Sequence, residues 1–237
     1  MTVKAVAVDL DGTIVHTVPE AHVIKGRSRD CYLSAKTAAL LAEISQRLPT
    51  FITTGRNAPS VAKITEQLAK VRFAGFVLEN GFVVKTDLSR PYPQPKQWRF
   101  AAKVPPSWEA IPGYECSTGF ILPDGEKKPR QLVEQLMQES GEEGCIIFQP
   151  PKIFVYPQEP DKMLGLSRFN AAPYIALGND FNDIQLFQHS KHPVTLTAAC
   201  PELKAIVQEK NGYCSPLAAH AAAEDMLAWA LAKLTAA

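Results

Sequence analysis

Two acids stand two residues apart in Asp9-Leu10-Asp11-Gly12-Thr13. In an extended segment such residues face the same way, so both carboxylates can serve one pocket. Two carboxylates that close resist joint ionisation unless a cation or a proton intervenes. One can then act as nucleophile or metal ligand and the other as acid/base. Gly12 permits a close backbone approach, and Thr13 offers a hydroxyl or an amide. Thr53-Thr54-Gly55-Arg56 puts a hydroxyl beside a glycine turn near a helix start, which suits a phosphate oxygen. Lys162, within Pro160-Asp161-Lys162-Met163, can neutralise a carboxylate and a phosphate together. Gly178-Asn179-Asp180-Phe181-Asn182-Asp183 gathers the oxygen donors that Mg²⁺ prefers. Taken singly, each stretch also reads as an ordinary turn, helix cap or surface residue.

The elements around these stretches decide whether they can meet. Residues 3–10 form a valine-rich apolar run ending at the two acids, the pattern of a parallel strand buried on both faces. Residues 34–48 carry apolar side chains at helical spacing behind Ser34 as N-cap. Residues 51–54 predict a short strand stopping at Gly55, and a helix can begin near Pro59. Two strand-like runs, 73–79 and 82–85, flank the turn Asn80-Gly81. Alternation of strand and helix argues for an α/β fold on a doubly wound parallel sheet. The same pattern returns after Asp161, with strands at 173–177 and 194–197 and helices at 182–188, 201–210 and 217–234.

Between these parts the character changes. Pro91, Pro93, Pro95, Pro105, Pro106 and Pro112 crowd one stretch, which excludes a continuous helix or central strand there. Strand candidates are 98–104 and 114–122, followed by a helix at 129–140 and a hairpin of 145–149 with 153–156. This reads as a small α+β insertion.

Asp-x-Asp-Gly-Thr, then Thr-Gly-Arg, then a lysine, then Gly-Asn-Asp-x-Asn-Asp follow the order of motifs in the haloacid dehalogenase (HAD) superfamily of phosphohydrolases, which the chain resembles. Glu79-Asn80-Gly81 is similar to a further signal of that family, and the insertion resembles the C2-type cap of its subfamily IIB, the Cof and sucrose-phosphatase-like branch. The resemblance implies a HAD-like catalytic core of residues 1–84 and 160–237 and a cap of 85–159 that closes over the site. It implies Asp9 as nucleophile forming an aspartyl-phosphate, Asp11 as acid and then base, and Thr54 and Lys162 as phosphoryl-binding groups. Thr13, Gly55, Arg56, Asn80 and Asn182 are expected to contact substrate. Mg²⁺ is expected on Asp9, Asp11 (through its backbone carbonyl), Asp183, and Asn179 or Asp180. The family usually has Gly-Asp-x-x-Asn-Asp in the fourth motif. Here Asn179 replaces the first acid, which removes one formal charge from the metal site. The resemblance thus implies a Mg²⁺-dependent phosphatase for a small phosphorylated metabolite, sugar phosphates included. A phosphomutase is the first competitor; such enzymes need several cap arginines, and 85–158 holds only Arg90, Arg99 and Arg130. A non-catalytic sensor is the second, motivated by Asn179.

Composition agrees. With 25 Lys+Arg against 24 Asp+Glu, the net charge of +1 provides no broad field for nucleic acid or anionic lipid. No apolar stretch is long enough to span a bilayer, and the N-terminus lacks a cleavage site, so a cytoplasmic protein is expected. The five cysteines show no CxxC spacing, which disfavours zinc and disulfides. The five histidines do not cluster along the chain, and Lys25, Arg27 and Arg29 read as part of a solvated loop at 16–29. Oligomeric state is not legible.

Overall fold

The computed structural model describes residues 2–26 and 29–235, which leaves Arg27 outside the described residues. In chain order the elements are β1 (Val3–Val8), β2 (His22–Ile24), β3 (Cys31–Leu33), α1 (Ala35–Ser45), β4 (Thr50–Thr53), α2 (Ala58–Glu66), β5 (Phe73–Leu78) and β6 (Val83–Lys85). They continue with β7 (Glu109–Ala110), β8 (Thr118–Ile121), α3 (Pro129–Glu139), β9 (Cys145–Gln149) and β10 (Lys152–Tyr156). The last are α4 (Lys162–Ser167), β11 (Ala171–Leu177), α5 (Ile184–His189), β12 (His192–Leu196), α6 (Pro201–Glu209), β13 (Tyr213–Ser215) and α7 (Ala219–Thr235). The chain divides into two compact units, Met1–Ser89 with Asp161–Ala237, and Arg90–Pro160.

The first unit is an α/β fold on a seven-stranded sheet of order β13-β12-β11-β1-β4-β5-β6. All pairings are parallel except that of β6 with β5. The four C-terminal residues of β1 are fully buried, as its unbroken valine–alanine run requires. Strand order reverses at β1, which pairs with β11 on one side and β4 on the other. In open α/β sheets a crevice opens at such a switch point, beyond the carboxyl ends of the strands. Helix α1 begins where the Ser34 hydroxyl accepts from Thr37 N at 3.0 Å, and α2 where Asn57 caps Ser60 N at 3.0 Å. Ala5, Ala7, Phe51, Val77, Leu166, Ala176, Phe187 and Leu203 form a core between sheet and helices.

Two sequence expectations change here. The polar stretch 16–29 is not a plain loop: β2 and β3 pair antiparallel, and His16 bridges Tyr32. Lys25 pairs with Asp30 at 2.7 Å across that hairpin. The histidines do not all stand apart either. His16 and His220 meet edge to face with ring centroids 5.0 Å apart, 204 positions separated in sequence and joined only by the fold.

The second unit is a four-stranded antiparallel sheet, β7-β8-β10-β9, with α3 placing Val133, Leu136 and Met137 against it. The strand expected at 98–104 is a 3₁₀ turn over Arg99–Lys103. The reason is a side chain. Glu142 accepts from Arg99 N at 3.0 Å and Phe100 N at 2.8 Å, taking the donors a strand ladder would use. Trp98 and Phe100 are buried together, and Trp98 Nε1 donates to Cys116 O. The strand expected at 114–122 shortens to β8. No helix among the described residues is long and apolar enough to cross a membrane.

Candidate active site

The first acidic stretch leaves β1 at the switch point. Asp9 N donates to Leu177 O at 2.9 Å, tying the loop to β11. The amides of Thr13, Ile14 and Val15 all turn back onto Leu10 O, which closes a tight loop. Gly12 adopts φ 73°, and a Cβ there would stand 2.3 Å from Asn179 Nδ2. Both the left-handed backbone and the close approach demand glycine.

Beneath the loop lies a buried charge cluster. Lys162 Nζ donates to Asp9 Oδ1 and to Asp183 Oδ1, each at 2.7 Å. Lys162 and Asp183 are fully buried, and Asp9 is 5 % exposed. The remaining carboxylate oxygens are also engaged. Asp9 Oδ2 accepts from Thr13 Oγ1 at 3.0 Å, and Asp183 Oδ2 accepts from the backbone N of Asn179 and of Asp180. Burial pushes the Asp9 carboxyl well above the ordinary carboxylate range; Asp183 and Asp11 add to that and Lys162 opposes it. Burial alone would lower Lys162, but Asp183 and Asp9 outweigh it and hold the ammonium charged. Two carboxylates and one ammonium leave the cluster one positive charge short of neutrality.

The other expected residues fall around this cluster in different ways. Asp11 reaches outward, its side chain 57 % exposed, and Arg56 grips it with Nε to Oδ2 at 2.7 Å and Nη2 to Oδ1 at 2.5 Å. Arg56 is braced by Ser60 Oγ at 3.1 Å and Cys31 Sγ at 3.7 Å, neighbours the sequence did not single out. Thr54 is buried beyond the end of β4, where its hydroxyl accepts from Arg56 N. Gly55 lies against the Asn80 carboxamide, and Asn80 Oδ1 accepts from Asn182 Nδ2 at 3.0 Å. Asn179 turns toward the acidic loop, with Oδ1 3.3 Å from Thr13 Oγ1. Asp180 does not: its exposed carboxylate caps the 3₁₀ turn Phe181–Asp183 by accepting from Phe181 N at 2.8 Å. Gly178 is required where it stands, because a Cβ would meet Asp183 Cγ at 2.5 Å.

Lys162 arrives on α4, a short helix that the sequence reading leaves out. Asp161 caps it, accepting from Leu164 N at 3.0 Å, and that cap was its sequence signal.

The donor chemistry can be tested against Mg²⁺. No group of three or more His, Cys, Asp or Glu side chains disposed for a metal occurs among the described residues. Mg²⁺ does not need one, since it commonly takes one or two carboxylates and completes its shell with waters and phosphate oxygens. Asp9 Oδ2 and Asn179 Oδ1 both lie within 3.3 Å of the Thr13 hydroxyl, so a carboxylate and a neutral carbonyl oxygen converge there. These hard oxygens fit Mg²⁺, with Asn179 making the site less negative than an aspartate would.

No known family model matches the chain, and no curated protein matches it. Solved structures do. A haloacid dehalogenase-like hydrolase from Bacteroides thetaiotaomicron superposes with a TM-score of 0.70 at 15 % identity, over 98 % of this chain and 99 % of that one. The sucrose-phosphatase of Synechocystis, solved with sucrose and phosphate, gives 0.57 at 18 % identity over 99 % of both chains. A HAD subclass IIB sugar phosphatase gives 0.61 at 15 % identity over 98 % of this chain and 99 % of that one. The chain therefore has the haloacid dehalogenase-like fold along its whole length, in a form shared with subclass IIB structures.

Proposed function

We propose that the protein is a phosphoric monoester hydrolase acting on a small phosphorylated metabolite, with a sugar phosphate as the favoured substrate class. The observation that carries this reading is the buried Asp9–Lys162–Asp183 cluster at the switch point of the sheet. Phosphatases and a sugar phosphatase among the similar structures support it. In this reading residues 85–159 form the C2-type cap, and the protein works in the cytoplasm.

The chemistry follows from the charges. A carboxylate cannot approach a phosphate dianion unless cations screen both. Lys162 supplies one fixed positive charge on Asp9 and holds the nucleophilic oxygen in place. Asp9 attacks phosphorus, forming the aspartyl-phosphate as the ester oxygen leaves. Asp11, on the exposed side of the loop, gives that oxygen a proton and then takes one from the water that cleaves the acyl phosphate. Thr54 and the Gly55 amide receive the phosphoryl oxygens, while Arg56 orients Asp11. Asp9, Asn179 and the Asp11 backbone carbonyl would hold Mg²⁺, with Asp183 fixing the loop of Asn179 from behind. When bound, Mg²⁺ neutralises phosphoryl charge and acts as a Lewis acid. Asp180 is outside this set because its carboxylate is spent on the cap.

Turnover of a panel of phosphorylated metabolites with Mg²⁺, parent beside Asp9→Asn, tests the reading. It expects hydrolysis by the parent and loss of at least about 10³-fold in the variant. Equal rates would remove Asp9 as nucleophile.

A further inference from the structure

The turn Glu79-Asn80-Gly81 joins β5 to β6 in an unusual backbone. Glu79, Asn80 and Gly81 have φ of 50°, 56° and 107°. A left-handed conformation costs about 1–2 kcal/mol for each non-glycine residue, so two in succession persist only where their surroundings over-determine them. The surroundings of Asn80 are three of the four chemistry-bearing stretches. Its backbone N donates to Thr54 O at 3.0 Å, and its backbone O accepts from Asp161 N at 3.0 Å, one residue before Lys162. Its side chain accepts from Asn182 and lies on Gly55, where a Cβ would come within 3.0 Å of Asn80 Oδ1. At the next residue a Cβ on Gly81 would stand 2.0 Å from Asp161 O, so the turn is pressed directly on the start of α4.

Asn80 is 5 % exposed and its carboxamide oxygen is used by Asn182. Asn182 differs, because its Oδ1 is buried with no hydrogen-bond partner. Exchanging the oxygen and nitrogen of both carboxamides leaves the same result, one Asn182 polar atom unspent. A buried polar atom without a partner costs free energy unless something arrives to fill it. The spare capacity at this corner therefore belongs to Asn182.

We propose that Asn80 is a positioning residue: its carboxamide aims Asn182, and its left-handed backbone keeps Thr54, Lys162 and Asn182 in register around the phosphoryl site. This differs from the substrate contact expected from sequence, and it rests on the phosphatase reading. The strained turn acts through three other residues rather than on substrate itself.

A double-mutant cycle on orthophosphate binding tests it, by calorimetry with Mg²⁺ in parent, Asn80→Gly, Asn182→Ala and the pair. Glycine keeps φ > 0 without steric cost and removes the side chain that Asn182 donates to, while the backbone bonds of residue 80 remain, so the fold is expected to be retained. Each single variant is expected to weaken phosphate binding about 10-fold, and the pair no more than about 2-fold beyond Asn182→Ala alone. Asn80→Gly binding as the parent does, or a pair weakened by the product of the singles, overturns the inference. Should Asn80→Gly fail to fold, Asn80→Asp retains an acceptor for Asn182 and left-handed tolerance; it is then expected to stay non-additive with Asn182→Ala, and additivity refutes the coupling. A parent that neither hydrolyses phosphate esters nor binds phosphate refutes the phosphatase reading as well. An active parent with additive variants refutes this inference alone.

Discussion

Replacing Lys162 by methionine isolates what the buried ammonium does. Asp9 and Asp183 each have an oxygen 2.7 Å from Nζ, so those oxygens lie no more than twice that distance apart. Without the cation, two buried carboxylates face each other at roughly 5 Å, a repulsion of about 3 kcal/mol at an effective dielectric near 20. That is about two pKa units, added to an Asp9 carboxyl that burial already raises. Breaking one partner out of a buried ion pair costs about 3–5 kcal/mol, in the same range. The sign with pH is determined. A carboxyl raised in the folded state contributes stability that is complete at low pH and is lost as pH rises through its folded value. Lys162→Met should therefore be destabilised by about 3–5 kcal/mol at pH 8 and by much less at pH 5, where a shared proton replaces the cation. Urea denaturation followed by tryptophan fluorescence, in chelator at both pH values, reads the difference. Turnover should fall about 10³-fold or more at neutral pH, since a protonated Asp9 is no nucleophile. A destabilisation equal at the two pH values, or a variant that still turns over, would refute the electrostatic role.

Three other outcomes follow from the site. Asn179→Asp restores a charged oxygen beside Asp9, and calorimetry should show Mg²⁺ binding about 10-fold tighter; unchanged affinity would take Asn179 out of the metal site. Arg56→Gln removes the fork that orients the exposed Asp11, so kcat on an aryl phosphate should drop about 10–100-fold, with a stability change within about 1 kcal/mol because the carboxylate partner stays solvated. Burial first, and His220 second, push His16 down to about 4 from 6.5. The unfolded chain then takes up that proton first, so stability present above pH 6.5 is lost as pH falls toward 4. His16→Phe should flatten that decline in acid denaturation curves, and a parallel decline would remove His16 as its source.

What could be read from the sequence depended on range. The run Val3–Val8 announces a central strand because burial on both faces forbids polar residues along it. The acids then fall at its carboxyl end with no further information needed. Lys162 is different: its partners lie 153 and 21 positions away, and its own neighbours give no hint that it would be buried. Helix α4 leaves little trace in the sequence because six residues with an exposed Leu164 make no apolar stripe. The strand expected at 98–104 does not form because Glu142, more than forty positions on, claims the backbone donors of Arg99 and Phe100. Asp180 and Asn179 are adjacent and equally able to ligate on paper. Only the three-dimensional turn shows one capping a helix and the other facing Asp9 across Thr13.

In the proposed reaction Asp9 carries the phosphoryl group. Acid quenching during steady turnover of an aryl phosphate, borohydride reduction and peptide mass spectrometry test it directly, because reduction of an acyl phosphate converts the aspartate to homoserine. Homoserine is expected at position 9 in the parent, with none in Asp9→Asn and none at position 11. Steady turnover with no reducible acyl phosphate at Asp9, or with the modification at Asp11, would contradict it.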